Sequence, residues 1–439
     1  MNNGHLIVES SGPLRGAANL VGAKNAVLVT IASLILTSGK SIVRNVPVLT
    51  DVFEMVELLK KLGAQVYFDT ENHILFVDTS DLHAYEIDAQ IMAKTRTSIL
   101  AMGPLLARFG KVRIGGLPGG DAIGKRPIDY HLKNFEKMGI TIFHQDSYLC
   151  AQAENLIAAR VVLEYPSVGA TENVLMAATM AQGRTKIINA SCEPEVLDLI
   201  AVLEKMGAKI NIHVPATIIV EGVDFLTPVD HTIMFDRLEA GSLLIAAAAT
   251  GGEISIPDAS ADVLDVFLLK LTQMGHEIAI GQDGKGIYLK ATSDPQAVSF
   301  KTGPYPGFPT DLQAPMMALQ CISQGTAIIE ETVFENRFHH VPELKKMGAS
   351  IEIEGNKAII TGVGKLYGTQ VCGADIRAAM ALVIAGLAAQ GETHIDGLYH
   401  LRRGYESLEH RLRSLGAKIK VENEVLVVKA HNSCSQLER

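Results

Sequence analysis

One phrase recurs six times along the chain, and it limits the folds that the chain can adopt. Each copy has an amphipathic stretch, then Leu or Met, then Gly, then a β-prone run, as in LLKKLGAQVYF and VLEKMGAKINI. Successive glycines are 76, 68, 68, 73 and 68 residues apart, and they are Gly63, Gly139, Gly207, Gly275, Gly348 and Gly416. Each copy predicts a helix that ends at a left-handed glycine cap and is followed directly by a strand.

Between these phrases lie further helical patterns that are rich in alanine and carry few charges, such as AGSLLIAAAATGG and AAMALVIAGLAAQG. A helix that is apolar on all sides is buried rather than laid on a surface. Each pattern leads into a short strand pattern such as EISIPD or THIDG. The sequence therefore predicts an α/β fold with helices inside and strands outside, most simply as two clusters of three units. The alternative is that the phrase marks six ordinary helix-to-strand turns.

Composition narrows the class of protein. The chain has 439 residues, of which 48% are hydrophobic and 20% charged, so we expect a soluble globular protein with two or more domains. Its apolar runs are shorter than the roughly 20 residues of a membrane-spanning helix, and its N-terminal stretch lacks the pattern of an export signal. The five cysteines have no CxxC spacing, which favours a reducing cytoplasm over a disulfide framework or zinc site. The net charge of −9 argues against a general nucleic-acid surface.

Basic residues stand beside several of the buried helical patterns. Lys24 and Asn25 begin one pattern, Arg96 precedes another, and Arg377 and Arg403 lie at two more. A cation beside the free N–H groups of a helix N-terminus is a natural anion site, and arginine can bind phosphate through two hydrogen bonds. Taken singly, each could equally be a solvated cation, with Asn25 as a capping residue.

Two acids stand in segments rich in glycine or proline. Asp121, in GGLPGGDAIGKRPID, could be a turn residue, or it could carry a proton on a lid that closes over a substrate. Asp311, in FPTDLQAP, could cap a helix, act as a general base, or do both. The adjacent His339 and His340 have diverging side chains and no partner at ligand spacing, so the sequence predicts no metal site.

Seven ordered motifs together resemble one family, the enolpyruvyl transferases. They extend over nearly the whole chain and are GAKNA, GPLLARFG, LPGG.AIG.RPID.H, SVGATEN, FPTD.Q, ETVFENRF.HVPEL and RGYE. The resemblance implies a two-domain inside-out α/β barrel of six βαβαββ-type units, three per domain, with buried helices. It also implies two chain crossings, so that one domain comprises residues 25–235 with the catalytic loop and the other residues 1–24 plus 236–439.

The branch of the family that the chain resembles transfers the enolpyruvyl group of phosphoenolpyruvate to the 3-hydroxyl of UDP-N-acetylglucosamine. Phosphate is released in this first committed step of peptidoglycan synthesis. The resemblance implies these two substrates as partners and no cofactor, metal, membrane insertion or obligatory protein partner. It implies that the catalytic residues are Lys24, Asp121, Asp311 and Arg403. The implied substrate-binding residues are Asn25, Arg96, Arg126, Pro127, Ile128, Asp129, Tyr130, Ser167, Val168, Gly169, Val333, Asp375 and Arg377.

The resemblance also implies a division of roles. Lys24, Arg126 and Arg403 hold the phosphate and carboxylate of phosphoenolpyruvate. Asp121 delivers a proton to C3 of the vinyl group, and Asp311 takes the proton of the sugar hydroxyl. Residues 126–130 and 167–169 hold the uridine and diphosphate, while Arg96 and the backbone at residue 333 lie at the sugar nucleotide.

The chain departs from the family pattern at Asp121, where most members carry Cys. A carboxylic acid ionises at lower pH than a thiol, so it must be protonated before it can donate. Fosfomycin, an epoxide, inactivates the family by alkylating that cysteine, and we expect this protein to be insensitive to it.

Milder departures are Thr50 and Tyr165, where some members carry lysine, and Arg402, where many carry aspartate. They leave open an enolpyruvyl transferase with a different acceptor. A protein that binds a sugar nucleotide without catalysis is the alternative from another class.

Overall fold

The computed structural model describes residues 3–124 and 128–424. Its α-helices are α1 (Lys24–Ser33), α2 (Thr50–Leu62), α3 (Ala89–Lys94), α4 (Met102–Phe109), α5 (Asp129–Lys137), α6 (Val168–Ala178), α7 (Pro194–Lys205), α8 (Arg237–Ala249), α9 (Asp265–Gln273), α10 (Gln313–Gln320), α11 (Val341–Lys346), α12 (Ile376–Ala388), α13 (Leu398–Gly404) and α14 (Leu408–Ser414). Its 3₁₀ segments are Leu34–Leu36, Arg96–Ala101, Ala261–Val263, Gln282–Gly284 and Thr310–Leu312. None of these helices is long and apolar enough to cross a membrane.

The strands lie between these helices. They are β1 (Asn3–Glu9), β2 (Arg15–Ala17), β3 (Lys40–Arg44), β4 (Gln65–Asp69), β5 (Ile74–Asp78), β6 (Glu86–Ile87), β7 (Lys111–Gly115), β8 (Thr141–Gln145), β9 (Tyr148–Gln152), β10 (Arg160–Val162), β11 (Arg184–Ile188), β12 (Lys209–His213), β13 (Thr217–Glu221), β14 (Asp230–Thr232), β15 (Glu253–Ser260), β16 (Glu277–Ile280), β17 (Lys285–Lys290), β18 (Phe300–Lys301), β19 (Thr326–Glu330), β20 (Ser350–Glu354), β21 (Lys357–Thr361), β22 (Gln370–Cys372), β23 (Glu392–Asp396) and β24 (Ile419–Glu424).

The strands form six four-stranded sheets that share one topology. Each sheet has one parallel pair at an edge and two antiparallel pairs, as in β6-β7-β9-β8, where only β6 and β7 run parallel. The remaining sheets are β14-β3-β5-β4, β10-β11-β13-β12, β16-β17-β15-β2, β18-β19-β21-β20 and β22-β23-β1-β24. One repeated unit, such as β10-α6-β11-α7-β12-β13, thus has the predicted βαβαββ order.

The repeated glycines end the outer helices as the sequence predicted. All six have positive φ angles, from 82° at Gly139 to 108° at Gly63. A strand begins two or three residues after each of them, for example β4 at Gln65 and β20 at Ser350. Glycine is favoured here because an added Cβ is strained in the left-handed region. The predicted glycine caps are therefore confirmed.

The inner helices form two groups, α1, α4 and α6 in one and α8, α10 and α12 in the other, and most of their residues are buried. Nine of the ten residues of α1 and twelve of the thirteen of α12 are buried. The hydrophobic core forms two clusters, one from Ala23 to Ile233 and one that joins residues 6–18 to residues 238–419. The two-domain inside-out α/β barrel is confirmed. The exact bounds 25–235 and 1–24 plus 236–439 stay a prediction, which this division of the core supports.

The two segments that connect the clusters run side by side. Gly22 pairs antiparallel with Phe235, and a Cβ added to Gly22 would lie 1.9 Å from a backbone oxygen. The carboxylate of Asp236 accepts hydrogen bonds from two backbone N–H groups that begin α8, at 2.8 and 3.0 Å, and from the N–H of Lys24 at 3.1 Å. One side chain therefore caps an inner helix of each cluster.

Candidate active site

The starts of the inner helices hold most of the residues that the sequence predicted for the site. The free N–H groups at such ends attract anions, so these helix starts suit phosphorylated ligands. The helix starts and their predicted residues are Lys24 and Asn25 at α1, Arg96 in the 3₁₀ segment before α4, Ser167 to Gly169 at α6, Asp311 in the 3₁₀ segment before α10, and Asp375 to Arg377 at α12.

Four charged side chains form a chain of ion pairs between the two clusters. Nζ of Lys24 lies 2.8 Å from Oδ2 of Asp51, and Nε of Arg403 lies 2.9 Å from Oδ1 of the same carboxylate. Nη1 of Arg403 donates to Oδ1 of Asp121 at 2.5 Å. Asp51 is only 2% exposed, and burial alone would raise its pKa, but Lys24 and Arg403 outweigh burial and hold that pKa below its usual range.

The loop that carries Asp121 rests on the second cluster. The carbonyl of Ile123 accepts a hydrogen bond from the N–H of Asn336 at 3.1 Å, and Nε2 of His339 lies 3.3 Å from the carbonyl of Ala122. The Asp121 side chain keeps 14% of its surface exposed. The loop therefore covers Arg403 in this structure. The predicted site residues Arg126 and Pro127 lie outside the described residues.

Two arginines hold the carboxylate of Asp311. Nη2 of Arg337 donates to Oδ1, and Nη2 of Arg377 donates to Oδ2, both at 2.8 Å. Burial alone would raise the pKa of Asp311, but the two guanidinium groups hold it well below its usual range. Asp311 is thus a carboxylate with a fixed orientation, and a lone pair on each oxygen still faces away from its arginine.

Arg377 and Asp375 have neighbours within the protein itself. Besides Asp311, Arg377 donates through Nη1 to the hydroxyl of Tyr405 at 2.8 Å, and its side chain is buried. The carboxylate of Asp375 caps α12 by accepting from the N–H groups of Arg377 and Ala378 at 2.8 and 2.9 Å. The observed role of both residues is to position Asp311 and the start of α12, and direct substrate contact by them stays a prediction.

The predicted nucleotide side lies at the starts of α5 and α6. Ile128, Asp129 and Tyr130 are partly exposed at the beginning of α5. Oγ of Ser167 caps α6 by accepting from the N–H of Ala170 at 3.4 Å, and Val168 and Gly169 follow in its first turn, with Val168 exposed. These exposed backbone N–H groups are suited to a diphosphate. Asn25 is likewise exposed in the first turn of α1.

A buried histidine joins this nucleotide side to the segment of Arg96. Nδ1 of His131, on α5, lies 3.0 Å from Nδ2 of Asn173 on α6, whose amide also donates to the carbonyl of Ile99 at 2.9 Å. Burial and, to a smaller extent, the charge of the half-buried Arg96 lower the pKa of His131 to about 4. His131 is therefore neutral at physiological pH and accepts a hydrogen bond from Asn173.

The backbone at Val333 is held from inside the protein. Its N–H donates to Oε1 of Glu331 at 2.8 Å. A backbone contact between Val333 and a sugar therefore falls to its carbonyl oxygen.

The three milder departures from the family pattern occupy different places. Arg402 binds Glu409 through two hydrogen bonds at 2.7 and 3.0 Å, and its carbonyl accepts from Oγ1 of Thr50 at 3.4 Å. Tyr165 is half-buried, and burial raises the pKa of its hydroxyl, with a further contribution from the carboxylate of Glu331. Thr50 and Arg402 thus contact each other, whereas Tyr165 lies near Glu331.

Sequence reasoning missed three charged residues near these helix starts. Asp51 follows no motif, and only the folded chain brings it to Lys24 and Arg403. Arg337, which binds Asp311, was not singled out from the sequence. Arg237 binds Glu195 at 3.0 Å and Glu193 at 2.7 Å. Arg237 could have been found, because it follows a capping aspartate at an inner helix, as Arg377 does.

Among the described residues no group of three His, Cys, Asp or Glu side chains is arranged to hold a metal ion. The adjacent His339 and His340 point apart, since the first is exposed and the second is buried.

Comparison with known proteins places the chain among carboxyvinyltransferases. The family model "EPSP synthase (3-phosphoshikimate 1-carboxyvinyltransferase)" matches residues 8–412. UDP-N-acetylglucosamine 1-carboxyvinyltransferase 1 of Caldanaerobacter subterraneus subsp. tengcongensis is 47% identical over 94% of this chain and 98% of its own. The protein of the same name from Clostridium acetobutylicum is 45% identical over the same shares of the two chains.

Solved structures share the fold. The enolpyruvyl transferase NikO from Streptomyces tendae superposes with a TM-score of 0.86 at 24% identity, over 95% of this chain and 98% of that one. An EPSP synthase from Acinetobacter baumannii gives 0.73 at 17% identity, over 95% of this chain and 99% of that one. At these identities the two structures speak for the fold alone.

Proposed function

Because this chain belongs to the EPSP synthase family of carboxyvinyltransferases, we propose that it transfers the enolpyruvyl group of phosphoenolpyruvate to the 3-hydroxyl of UDP-N-acetylglucosamine, with release of phosphate. Its relatives with nearly half of their residues identical carry that acceptor in their names. The observation that carries the proposal is the chain of ion pairs Lys24–Asp51–Arg403–Asp121, which brings two cations and a lid acid to one place.

The two cations provide the anion site. Lys24 and Arg403 come from different clusters and meet at Asp51, so their positive charges lie side by side in a mostly buried setting. Phosphoenolpyruvate carries a phosphate and a carboxylate, and fixed cations stabilise both the bound anion and the charge that develops as phosphate leaves. Arg126, which the sequence assigns to the same site, lies outside the described residues.

Asp121 supplies and removes the proton at C3 of the vinyl group. Its carboxylate accepts a hydrogen bond from Nη1 of Arg403. A substrate anion on Arg403 takes that place, so the carboxylate loses a positive partner and gains a negative neighbour. Anion binding and the release of Asp121 from Arg403 are therefore coupled.

Asp311 accepts the proton of the attacking hydroxyl. Protonation at C3 leaves an oxocarbenium-like centre at C2, and the hydroxyl becomes acidic as it attacks that centre. A weak base in a fixed orientation suffices at that moment. Arg337 and Arg377 fix the orientation of Asp311. Loss of the C3 proton from the tetrahedral intermediate then expels phosphate.

The glycine-rich loop shields the reacting atoms from water. Its contacts with Asn336 and His339 on the second cluster put it over Arg403. Closure over a bound substrate strengthens the electrostatic interactions inside and prevents a side reaction of the oxocarbenium centre with water.

The same proposal places the protein in the cytoplasm, with the two substrates as its partners. The described cysteines Cys150, Cys192, Cys321 and Cys372 are all free, which supports a reducing compartment.

Phosphate release tests the proposed function. Purified protein is given phosphoenolpyruvate with UDP-N-acetylglucosamine or, in a parallel assay, with shikimate 3-phosphate. We expect phosphate only with the first acceptor, together with a nucleotide product heavier by one enolpyruvyl group. Release with shikimate 3-phosphate alone would assign another acceptor.

The alternative of a binding protein without catalysis predicts a different outcome of the same assay. UDP-N-acetylglucosamine would bind, as calorimetry measures, but no phosphate would appear. Lys24, Asp311 and Arg403 are all retained and positioned, and a protein that only binds has no need for two carboxylates beside its cations.

A further inference from the structure

The buried carboxylate of Glu331 contacts both sides of the acceptor site. Only 3% of the residue is exposed. Its Oε1 accepts from the backbone N–H groups of Val333 and Phe334 at 2.8 and 3.2 Å and from Oγ1 of Thr302 at 2.9 Å. Its Oε2 accepts from Oγ1 of Thr310 at 2.8 Å. We propose that Glu331 is a positioning residue that fixes the acceptor hydroxyl against its base, an inference that rests on the proposed function.

The first branch from Glu331 leads to the base. Thr310 immediately precedes Asp311, and its hydroxyl donates to Glu331 while it accepts from Nη1 of Arg337 at 3.3 Å. Arg337 in turn donates to Asp311 through Nη2. Glu331 therefore sets the direction of the Thr310 hydroxyl, and Thr310 helps to hold the arginine that orients the base.

The second branch leads to the backbone that faces the sugar. Because Glu331 accepts from two successive N–H groups, the turn at Val333 has one orientation and its carbonyl has a defined direction. One carboxylate, that of Glu331, therefore helps to hold both the base and this carbonyl in place. A displacement of about 1 Å at a reacting group can reduce a rate about 100-fold, so a shared anchor is of value for catalysis.

Glutamine cannot replace Glu331 in this arrangement. A carboxylate accepts at both oxygens, whereas an amide has one oxygen and an NH₂ group that only donates. If the amide oxygen faces Val333 and Phe334, the NH₂ group donates to the Thr310 hydroxyl, which can then no longer donate in that direction. If the amide is turned, its donors face two backbone N–H groups. One branch is reversed or lost in either orientation.

Three variants test the inference by steady-state kinetics. Thr310→Val removes only the base branch, so we expect kcat to fall about 10- to 100-fold with the KM for UDP-N-acetylglucosamine within about threefold of wild type. Thr310→Ser keeps the hydroxyl and should restore kcat. Glu331→Gln disturbs both branches and should also raise the KM for the sugar nucleotide about tenfold. The KM for phosphoenolpyruvate should change less than about threefold in all three.

Amide exchange provides a readout that needs no turnover. In Glu331→Gln the amides of Val333 and Phe334 should exchange at least about tenfold faster than in wild type, while those of α10 keep their protection. If the amides of Val333 and Phe334 exchange at the same rate in Glu331→Gln as in wild type, the inference is wrong. Equal kcat values in Thr310→Val and Thr310→Ser would also overturn the inference. This comparison remains available if Glu331→Gln does not fold. A wild-type protein that releases no phosphate with UDP-N-acetylglucosamine contradicts the proposed function instead, and the exchange result still stands.

Discussion

Nη1 of Arg403 donates a hydrogen bond to Oδ1 of Asp121 at 2.5 Å, although the two residues are 282 positions apart. Arg403 belongs to α13, beside the second cluster, and Asp121 to the glycine-rich loop of the first half of the chain. The lid acid is therefore held by the cation that the proposed substrate needs. We expect substrate binding to displace Asp121 from Arg403, because the substrate anion and the carboxylate compete for the same guanidinium group.

Asp121→Asn should be nearly inactive. Asparagine has the same size and can accept from Arg403, but it cannot carry a proton to C3. General acid–base catalysis contributes about 10²- to 10⁴-fold, so we expect kcat to fall by that range while the lid still closes. Steady-state phosphate release measures it, with Asp121→Cys as the control that retains a transferable proton. A kcat equal to wild type would show that another group carries the proton.

Fosfomycin should not inactivate the wild-type protein. A carboxylate bound to Arg403 is a poorer nucleophile toward an epoxide than a thiolate is. Incubation followed by intact-protein mass spectrometry should show no added mass and no time-dependent loss of activity. Asp121→Cys, treated in parallel, should gain the mass of one inhibitor molecule. Labelling of the wild-type loop would contradict the prediction.

The fold could be predicted because its signals are local. A left-handed glycine after an amphipathic helix determines the backbone of its own turn, and Gly63 and Gly348 show it in the structure as in the sequence. The alanine-rich patterns likewise identify the inner helices without knowledge of their neighbours. Helix starts such as Lys24 and Asp311 follow from the same patterns.

The contacts inside the site could not be predicted, because they join distant parts of the chain. Asp51 and Arg403 are 352 positions apart, and Asp311 and Arg377 are 66 apart. Nothing near Asp51 distinguishes it from an ordinary acid in the first turn of a helix. The resemblance implies that Arg377 binds substrate, but nothing in its own segment predicts that its guanidinium group also binds Asp311.

Asp236→Ala should affect both stability and anion binding. The substitution removes two hydrogen bonds that cap α8 and one to the N–H of Lys24. Loss of a cap costs about 1–2 kcal/mol, so we expect a lower free energy of unfolding, and the loosened start of α1 should raise the KM for phosphoenolpyruvate. Asp88→Ala is the matched control, since Asp88 caps the outer helix α3 through Ile91. An unchanged KM for phosphoenolpyruvate in Asp236→Ala would show that this cap does not contribute to anion binding.

His131→Asn should reduce the loss of unfolding free energy that occurs as the pH falls below about 6.5. Burial lowers the pKa of His131 from 6.5 to about 4, so between these values the unfolded chain binds more protons than the folded one. Stability from this group is complete above pH 6.5 and is lost as the pH falls toward 4, by at most about 3 kcal/mol. Asparagine can still accept from Asn173 but does not titrate. Urea unfolding at about pH 7 and about pH 5 should therefore show a smaller loss for the variant than for wild type, with the exposed His213→Asn behaving as wild type. Equal losses of unfolding free energy in wild type, His131→Asn and His213→Asn would mean that His131 is protonated in the folded state. The assignment of His131 as a neutral link between α5 and α6 would then be wrong.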